Sequence, residues 1–295
     1  MTYFKLLLTA VFWGGTFIAG KFISHNVDPF SAAFLRFLIA SFFLVFLTIK
    51  IEGRLPKLAP DKIFIVFLLG FTGIFSYNLF FFSGLNYIQA NQASLIIASN
   101  PIFISLCSVI FFKEKLNFIK ITGLCLSVTG ALIVISNGTV FKLFTLGFGK
   151  GELLIFGCVV SWVAYSILGK KAMNDLSPIA CVCYSSIAGT LLLFLPALFK
   201  GVFVKMGNYT PMEWASLFYL GFFGTVLGFF WYYEGIKQIG PMKAGVFINF
   251  VPISAIVLSF FILKEPITLS LIIGAICVIA GVYLTNTVNL KNKEN

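Results

Sequence analysis

Arg36 stands inside the apolar stretch FLRFLIA, deeper in hydrophobic sequence than any other basic residue of this chain. A guanidinium presents a planar fork of donors that fits a carboxylate or a phosphate. In apolar surroundings a charge of this kind marks a functional site unless it can reach water. Arg36 lies about six residues from the end of its stretch, about 9 Å at 1.5 Å per residue, so a side chain reaching back to the surface is an equal alternative. Two further features could hold a small molecule. Asn100-Pro101 and Asn249-Phe-Val-Pro252 each interrupt an apolar run. Proline has no N–H, so the carbonyls of Ile97 and Ile248 lose their helical partners. Gln92 extends the polar stripe above Asn100. Aromatic residues with polar tips or neighbours accompany them: Trp13, the pair Tyr77-Asn78, Trp162 with Tyr165 one helical turn on, and Trp231. Their chemistry is stacking and hydrogen bonding; an aromatic belt at the membrane interface is the competing reading, and it fits Trp13 and Trp162 less well, since both lie about ten residues deep.

Catalysis is not expected. There is a single His, His25, and no Cys-x-x-Cys, so no metal site or cofactor is foreseen. No nucleophile–base pair and no Gly-rich phosphate loop occurs. None of the ten acidic residues falls in the middle of an apolar run. A buried carboxylate relay of the kind that drives proton-coupled pumps is therefore not foreseen.

The elements that position these residues follow from composition. The chain is 59% hydrophobic and 11% charged, against about 25% charged in soluble domains. It reads as an all-α integral membrane protein, because only helices keep the backbone paired in lipid when no barrel closes. Ten apolar segments are visible, at about 4–23, 30–49, 62–84, 89–112, 118–136, 151–169, 178–199, 212–235, 241–263 and 266–286. Each suffices to cross a hydrocarbon core of about 30 Å. Pro101 and Pro252 fall near the middle of the fourth and ninth segments. Glu265-Pro266 leaves almost no loop before the tenth, with Pro266 suited to a first helical position. Lys113-Glu114 and Lys264-Glu265 then complement the dipoles of the helices they join.

The net charge of +11 is spread singly or in pairs between apolar runs. That pattern sets membrane orientation and excludes a nucleic-acid partner. With the N-terminus inside, fourteen of the 21 basic residues fall on the inner side, six on the outer, and Arg36 within the second span. Both termini are thus expected in the cytoplasm, with 287–295 a cytoplasmic tail. The first segment reads as a retained helix, not a removed signal. The six cysteines read as membrane-packing residues.

An internal repeat organises the chain. Trp13 matches Trp162, Gly20-Lys21 matches Gly169-Lys170, and Pro29 matches Pro178, all at an offset of 149. Gly70, Gly73, Gly84, Ala93, Pro101, Glu114, Gly123 and Gly130 recur at an offset of 151, as Gly221, Gly224, Gly235, Ala244, Pro252, Glu265, Gly274 and Gly281. Five segments per copy is an odd number, so the ten transmembrane helices form two inverted five-helix repeats, 4–136 and 151–286. Each copy resembles the EamA domain of the drug/metabolite transporter superfamily, on FWGGTFIAGK and FLRFLIA in the first copy. KEKLNFIKITGLCLSVTGALIV and KEPITLSLIIGAICVIAGVYL close the two copies. The resemblance implies a small-metabolite exporter or exchanger with a central cavity, and fifth helices used for packing or dimerisation.

The reading is a secondary transporter working by alternating access, one repeat rocking against the other, in a bacterial inner membrane. The expected partners are the lipid bilayer and a small-molecule substrate, with an amino acid or a derivative as the leading reading. The protein would be a monomer or a homodimer. A nucleotide-like or other anionic metabolite, held by Arg36 and Lys21, is the alternative, and a non-transporting membrane scaffold is the reading from another class.

Overall fold

The computed structural model describes residues 1–112, 118–135 and 149–291; among them every regular element is helical and no strand occurs. The elements are α1 (Thr2–Ser24), α2 (Pro29–Glu52), α3 (Pro60–Leu85), α4 (Ala90–Ile97), α5 (Asn100–Phe112), α6 (Phe118–Ile135), α7 (Lys150–Ala172), α8 (Pro178–Phe199), α9 (Pro211–Ile239), α10 (Pro241–Val246), α11 (Phe250–Leu258) and α12 (Leu269–Lys291). Seven stretches of the described residues are long and apolar enough to cross a membrane: α1, α2, α3, α7, α8, α9 and Ala90–Cys107, which runs from α4 into α5. Phe250–Leu263 and Leu269–Gly281 are shorter apolar helices.

Local sequence sets the ends. Asp28 accepts from the backbone N–H of Phe30 at 3.0 Å and of Ser31 at 3.4 Å, and Pro29 occupies the first turn of α2. Gly53 closes that helix at φ 76°, a left-handed cap that favours glycine. Thr210 and Glu213 form a reciprocal capping box on α9, ahead of Pro211. Along α2, Leu38, Phe42, Phe46 and Ile49 are exposed, while Phe37, Ala40, Leu44 and Thr48 are buried. That helix therefore turns one apolar stripe outward and another inward, as a helix between lipid and protein must.

The packing is symmetric on exchange of the two halves. α1 packs on α9 and α11, and α7 correspondingly packs on α3, α4 and α5. α2 packs on α8 and α6 on α12, each helix against its own repeat mate. Gly123, Gly130, Gly274 and Gly281 are all buried, consistent with small residues letting α6 and α12 approach. Most large interfaces thus join a helix of one repeat to a helix of the other. The packing does not divide the chain at the repeat boundary, and a repeat rocking as one body would have to break those interfaces.

The interruptions expected at the two prolines take definite places, and two further expectations, for the tenth helix and for Glu265, are revised. The fourth segment is split at Ala98-Ser99 into α4 and α5, and the ninth passes through a 3-10 turn at Phe247–Asn249. The first break lies two to three residues before Pro101 and the second three to five residues before Pro252. The tenth helix starts at Leu269, so Pro266 is not at a first helical position. Lys264 ends a π-helical turn, Ser259–Leu263, with φ 57°. Glu265 does not serve the helix that follows it. Its carboxylate accepts from the backbone N–H of Ala90 at 3.1 Å and of Asn91 at 3.2 Å, capping α4 of the other repeat. Lys113 and Glu114 lie outside the described residues.

The third and eighth segments contain a feature not expected from sequence. Gly70–Ser76 in α3 and Phe222–Leu227 in α9 are π-helical. They are repeat mates, and they fall on the glycines repeated at the offset of 151.

Candidate functional site

A π turn widens the hydrogen-bond ladder by one residue, and such turns often lie at functional sites. Here both π turns border one guanidinium. Arg36 is 3% exposed. Its Nε donates to Thr225 Oγ1 at 3.0 Å, and its Nη1 donates to Asn78 Oδ1 at 2.8 Å. Thr225 lies within the π turn of α9 and donates in turn to Leu220 O at 3.0 Å. Asn78 follows the π turn of α3 and donates through Nδ2 to Ile74 O at 2.8 Å. Arg36 therefore does not reach back to the surface. It is pinned from both sides with its fork turned inward, and two of its five N–H donors are used. Among the described residues, no carboxylate lies within ion-pair distance of it.

Arg36 borders a central cavity of about 30 Å³, lined also by Trp13, Tyr77, Asn100, Trp162 and Phe229. That admits a water molecule or two and is too small for a metabolite. Asn100 is 1% exposed, and its Oδ1 has no hydrogen-bond partner. A buried, unpaired acceptor costs about 1–3 kcal/mol and calls for a donor from whatever enters. Ile97 and Ile248, the residues whose carbonyls the two prolines release, both line the cavity, one from each repeat. Trp13 and Trp162, repeat mates, meet edge to face at 5.3 Å. Tyr77 lies 5.4 Å and Phe229 5.0 Å from Trp162. The indole N–H of Trp13 is already spent, on Gly224 O at 2.9 Å in the π turn of α9.

The expected residues separate on this geometry. Trp13, Arg36, Tyr77, Asn100 and Trp162 converge on the cavity. Asn78 is fully buried behind Arg36 and positions it. Tyr165 forms a second layer, 5.3 Å from Trp162, with its hydroxyl 3.1 Å from Ser185 Oγ. Gln92 belongs to the capping box at the start of α4. Trp231 stacks on Phe12 at 6.0 Å, away from the cavity. Pro101 and Pro252 are buried just beyond the helix breaks. Asn249 ends the 3-10 turn, and its side chain lies outside the described residues. Lys21, paired with Arg36 in the anionic alternative, instead donates to Leu85 O at 2.7 Å and Ile88 O at 3.0 Å. Sequence reading missed Thr16, Phe17, Phe81, Phe229 and Val251 on the wall, and Thr225 behind it. The repeated glycines were the available signal for Thr225, since they mark where α3 and α9 depart from regular geometry.

The cavity is asymmetric. At the repeat offsets, the mates of Arg36, Tyr77, Asn78 and Asn100 are Ser185, Gly228, Phe229 and Val251. The first copy supplies the polar wall and the second an apolar one. This arrangement can orient a molecule with an anionic head and an apolar body.

Comparison with known proteins is consistent with this architecture. The EamA-like transporter family matches twice, over residues 1–136 and 149–287. The uncharacterized transporter YyaM of Bacillus subtilis (strain 168) is 31% identical, covering 97% of this chain and 93% of the relative. An uncharacterized transporter of Archaeoglobus fulgidus is 30% identical, covering 96% of each chain. A solved crystal structure at 19% identity shares the fold, with a TM-score of 0.71 over 98% of both chains.

Proposed function

This chain belongs to the EamA-like transporter family, and we propose that it is a secondary transporter, an exporter or exchanger, of amino acids or their derivatives. One observation carries the reading. A buried guanidinium with donors to spare and, among the described residues, no carboxylate partner faces the same cavity as an unpaired amide acceptor. The substrate carboxylate would take the fork of Arg36. Its amino group would donate to Asn100 Oδ1, and its side chain would lie among Trp13, Trp162, Tyr77 and Phe229. Pro101 and Pro252 would let the helices on either side of the cavity flex.

Ten spans in two inverted halves, both termini in the cytoplasm, and residence in a bacterial inner membrane belong to the same proposal. The bias of basic residues and the exchange-symmetric packing support it. Alternating access would move two mixed bundles, one built on α1, α9 and α11 and the other on α7, α3, α4 and α5, because within each group the helices pack extensively on one another. The nucleotide-like alternative loses support, since Lys21 is occupied away from the cavity.

The test is counterflow in liposomes holding the purified protein, with labelled amino acids and phosphorylated metabolites run in parallel. Exchange of amino acids, uncompeted by phosphorylated compounds, is expected. Absence of flux across the amino-acid panel would overturn the substrate assignment.

A further inference from the structure

A groove of about 680 Å³ opens on the side of the bundle, between α5 and α7, and shares no lining residue with the central cavity. Its walls are Cys107 and Phe111 on α5 and Val160, Val163, Ala164 and Ile167 on α7. Lys170, Lys171 and Asn174 close one end, where α7 reaches the face that carries the start of α1. The groove has a repeat mate of about 270 Å³, bordered by α1, α9 and α11. There Gly15, Ile18 and Ala19 stand for Ala164, Ile167 and Leu168, and Leu258 and Ile262 stand for Cys107 and Phe111. The ends of the two grooves differ. The mate of Lys171 is Phe22, and the mate of Lys170 is Lys21, which turns inward to two backbone carbonyls. One groove therefore ends in apolar residues and the other in two lysines.

We infer that the groove between α5 and α7 is a binding site for an anionic phospholipid of the leaflet on the N-terminal face. Its phosphate would sit at Lys171 and Lys170, and an acyl chain would run along Ala164 and Val160. Length and charge both support this occupant. From Lys171 to Val160 the helix rises about 16 Å, about half of a 30 Å hydrocarbon core, which is one leaflet. Lys171 and Asn174 are exposed, and the neighbouring acid Asp175 is taken by Lys62 at 2.6 Å. Basic pockets between spans attract acidic headgroups. A second copy of this chain, with its own net charge of +11, is repelled overall by the same lysines.

The experiment uses the full chain, purified and delipidated, then titrated with phosphatidylglycerol or phosphatidylcholine of identical acyl chains. Bound lipid is read by native mass spectrometry. Phosphatidylglycerol is expected to be preferred, by about fivefold for each lysine engaged. Lys171→Phe, which installs the residue of the other groove, should cut the preference about fivefold. Ala164→Trp should fill the groove and reduce retention of both lipids. Phe22→Ala, in the other groove, should leave the preference unchanged. Lys171→Phe carries the test even where Ala164→Trp fails to fold. An unchanged preference in both Lys171→Phe and Lys170→Gln would overturn the site. So would displacement of the lipid by inorganic phosphate alone, which would assign the lysines to a soluble anion.

Discussion

Replacing Arg36 with Met removes the proposed anchor while keeping an unbranched side chain of similar reach. The wild-type guanidinium spends Nε on Thr225 and one Nη1 proton on Asn78, leaving three N–H groups. Two of these can meet a carboxylate in parallel. A hydrogen bond to a charged group contributes roughly 1.5–3 kcal/mol, so two contribute roughly 3–6 kcal/mol. At about 1.4 kcal/mol per decade, half-saturation should rise roughly 10²- to 10⁴-fold in Arg36→Met. Arg36→Lys keeps the charge but loses the fork, and should fall between. Folding is the control. Met leaves Asn78 Oδ1 without its donor, at about 1–3 kcal/mol, but no longer buries a cation, which offsets that cost. The assay is counterflow with the amino acid that the wild type exchanges fastest, alongside a thermal melt. A paired measurement separates binding from scaffolding. The decarboxylated amine of that amino acid should compete poorly in wild type, and no worse than the amino acid in Arg36→Met. Unchanged half-saturation in an Arg36→Met protein that melts like wild type would refute the role given to the guanidinium.

Further predictions can be checked alongside it. Asn100→Leu removes the unpaired buried acceptor, so it should raise the melting temperature while weakening uptake at least tenfold; a lowered melting temperature would show that the amide supports the fold instead. Gly221→Ala places a Cβ 2.9 Å from the Arg36 carbonyl oxygen and 2.9 Å from Ile39 Cγ2, and should cost about 1–3 kcal/mol of stability by forcing α2 from α9. Gly53→Ala, at φ 76° with open space around it, should cost about 1 kcal/mol and leave transport intact, which flux in liposomes would register. Glu265→Gln weakens the cap on α4 and should cost up to about 2 kcal/mol, seen as a lower melting temperature; an unchanged melt would mean that the two backbone bonds contribute nothing net.

Helical class and repeat were legible because they rest on composition and on residues with few substitutes. A run of about 20 apolar residues has one answer in lipid, and glycines and prolines recurring at two offsets mark backbone geometry. The split of the fourth segment was also legible, since proline withdraws a donor. The direction of side chains was less accessible. Arg36 lay near enough to a helix end to reach water, and its inward turn depends on Thr225 and Asn78, which two distorted helices deliver from far away in sequence. Glu265 fitted the dipole of its own helix on paper. In the fold that helix starts four residues later, and the free N–H groups of α4 are closer. Trp231 sits beside Tyr232 in sequence, and only the rotation of α9 decides which of them faces inward. Such outcomes are settled by packing between repeats, which no spacing within one repeat encodes.

The asymmetry of the cavity bears on how a symmetric scaffold could be used. Two halves that exchange positions give two states of matching geometry, as alternating access requires. If their walls were identical too, a substrate would find two equivalent poses related by the same exchange, and it could turn over within the site. Here the place of Arg36 is taken in the second repeat by Ser185, which lies off the cavity beside Tyr165, and the place of Asn100 by Val251. Only one pose pairs the charge, and the reverse pose would leave Arg36 against an apolar body and a carboxylate against Phe229 and Val251. Losing a paired, desolvated charge costs several kcal/mol, enough to hold one orientation through every intermediate. On the proposed mechanism the helices would then change places around a substrate that does not turn. The distortion needed to seat Arg36 would be confined to two π turns, and the prolines near the cavity would remain free to flex.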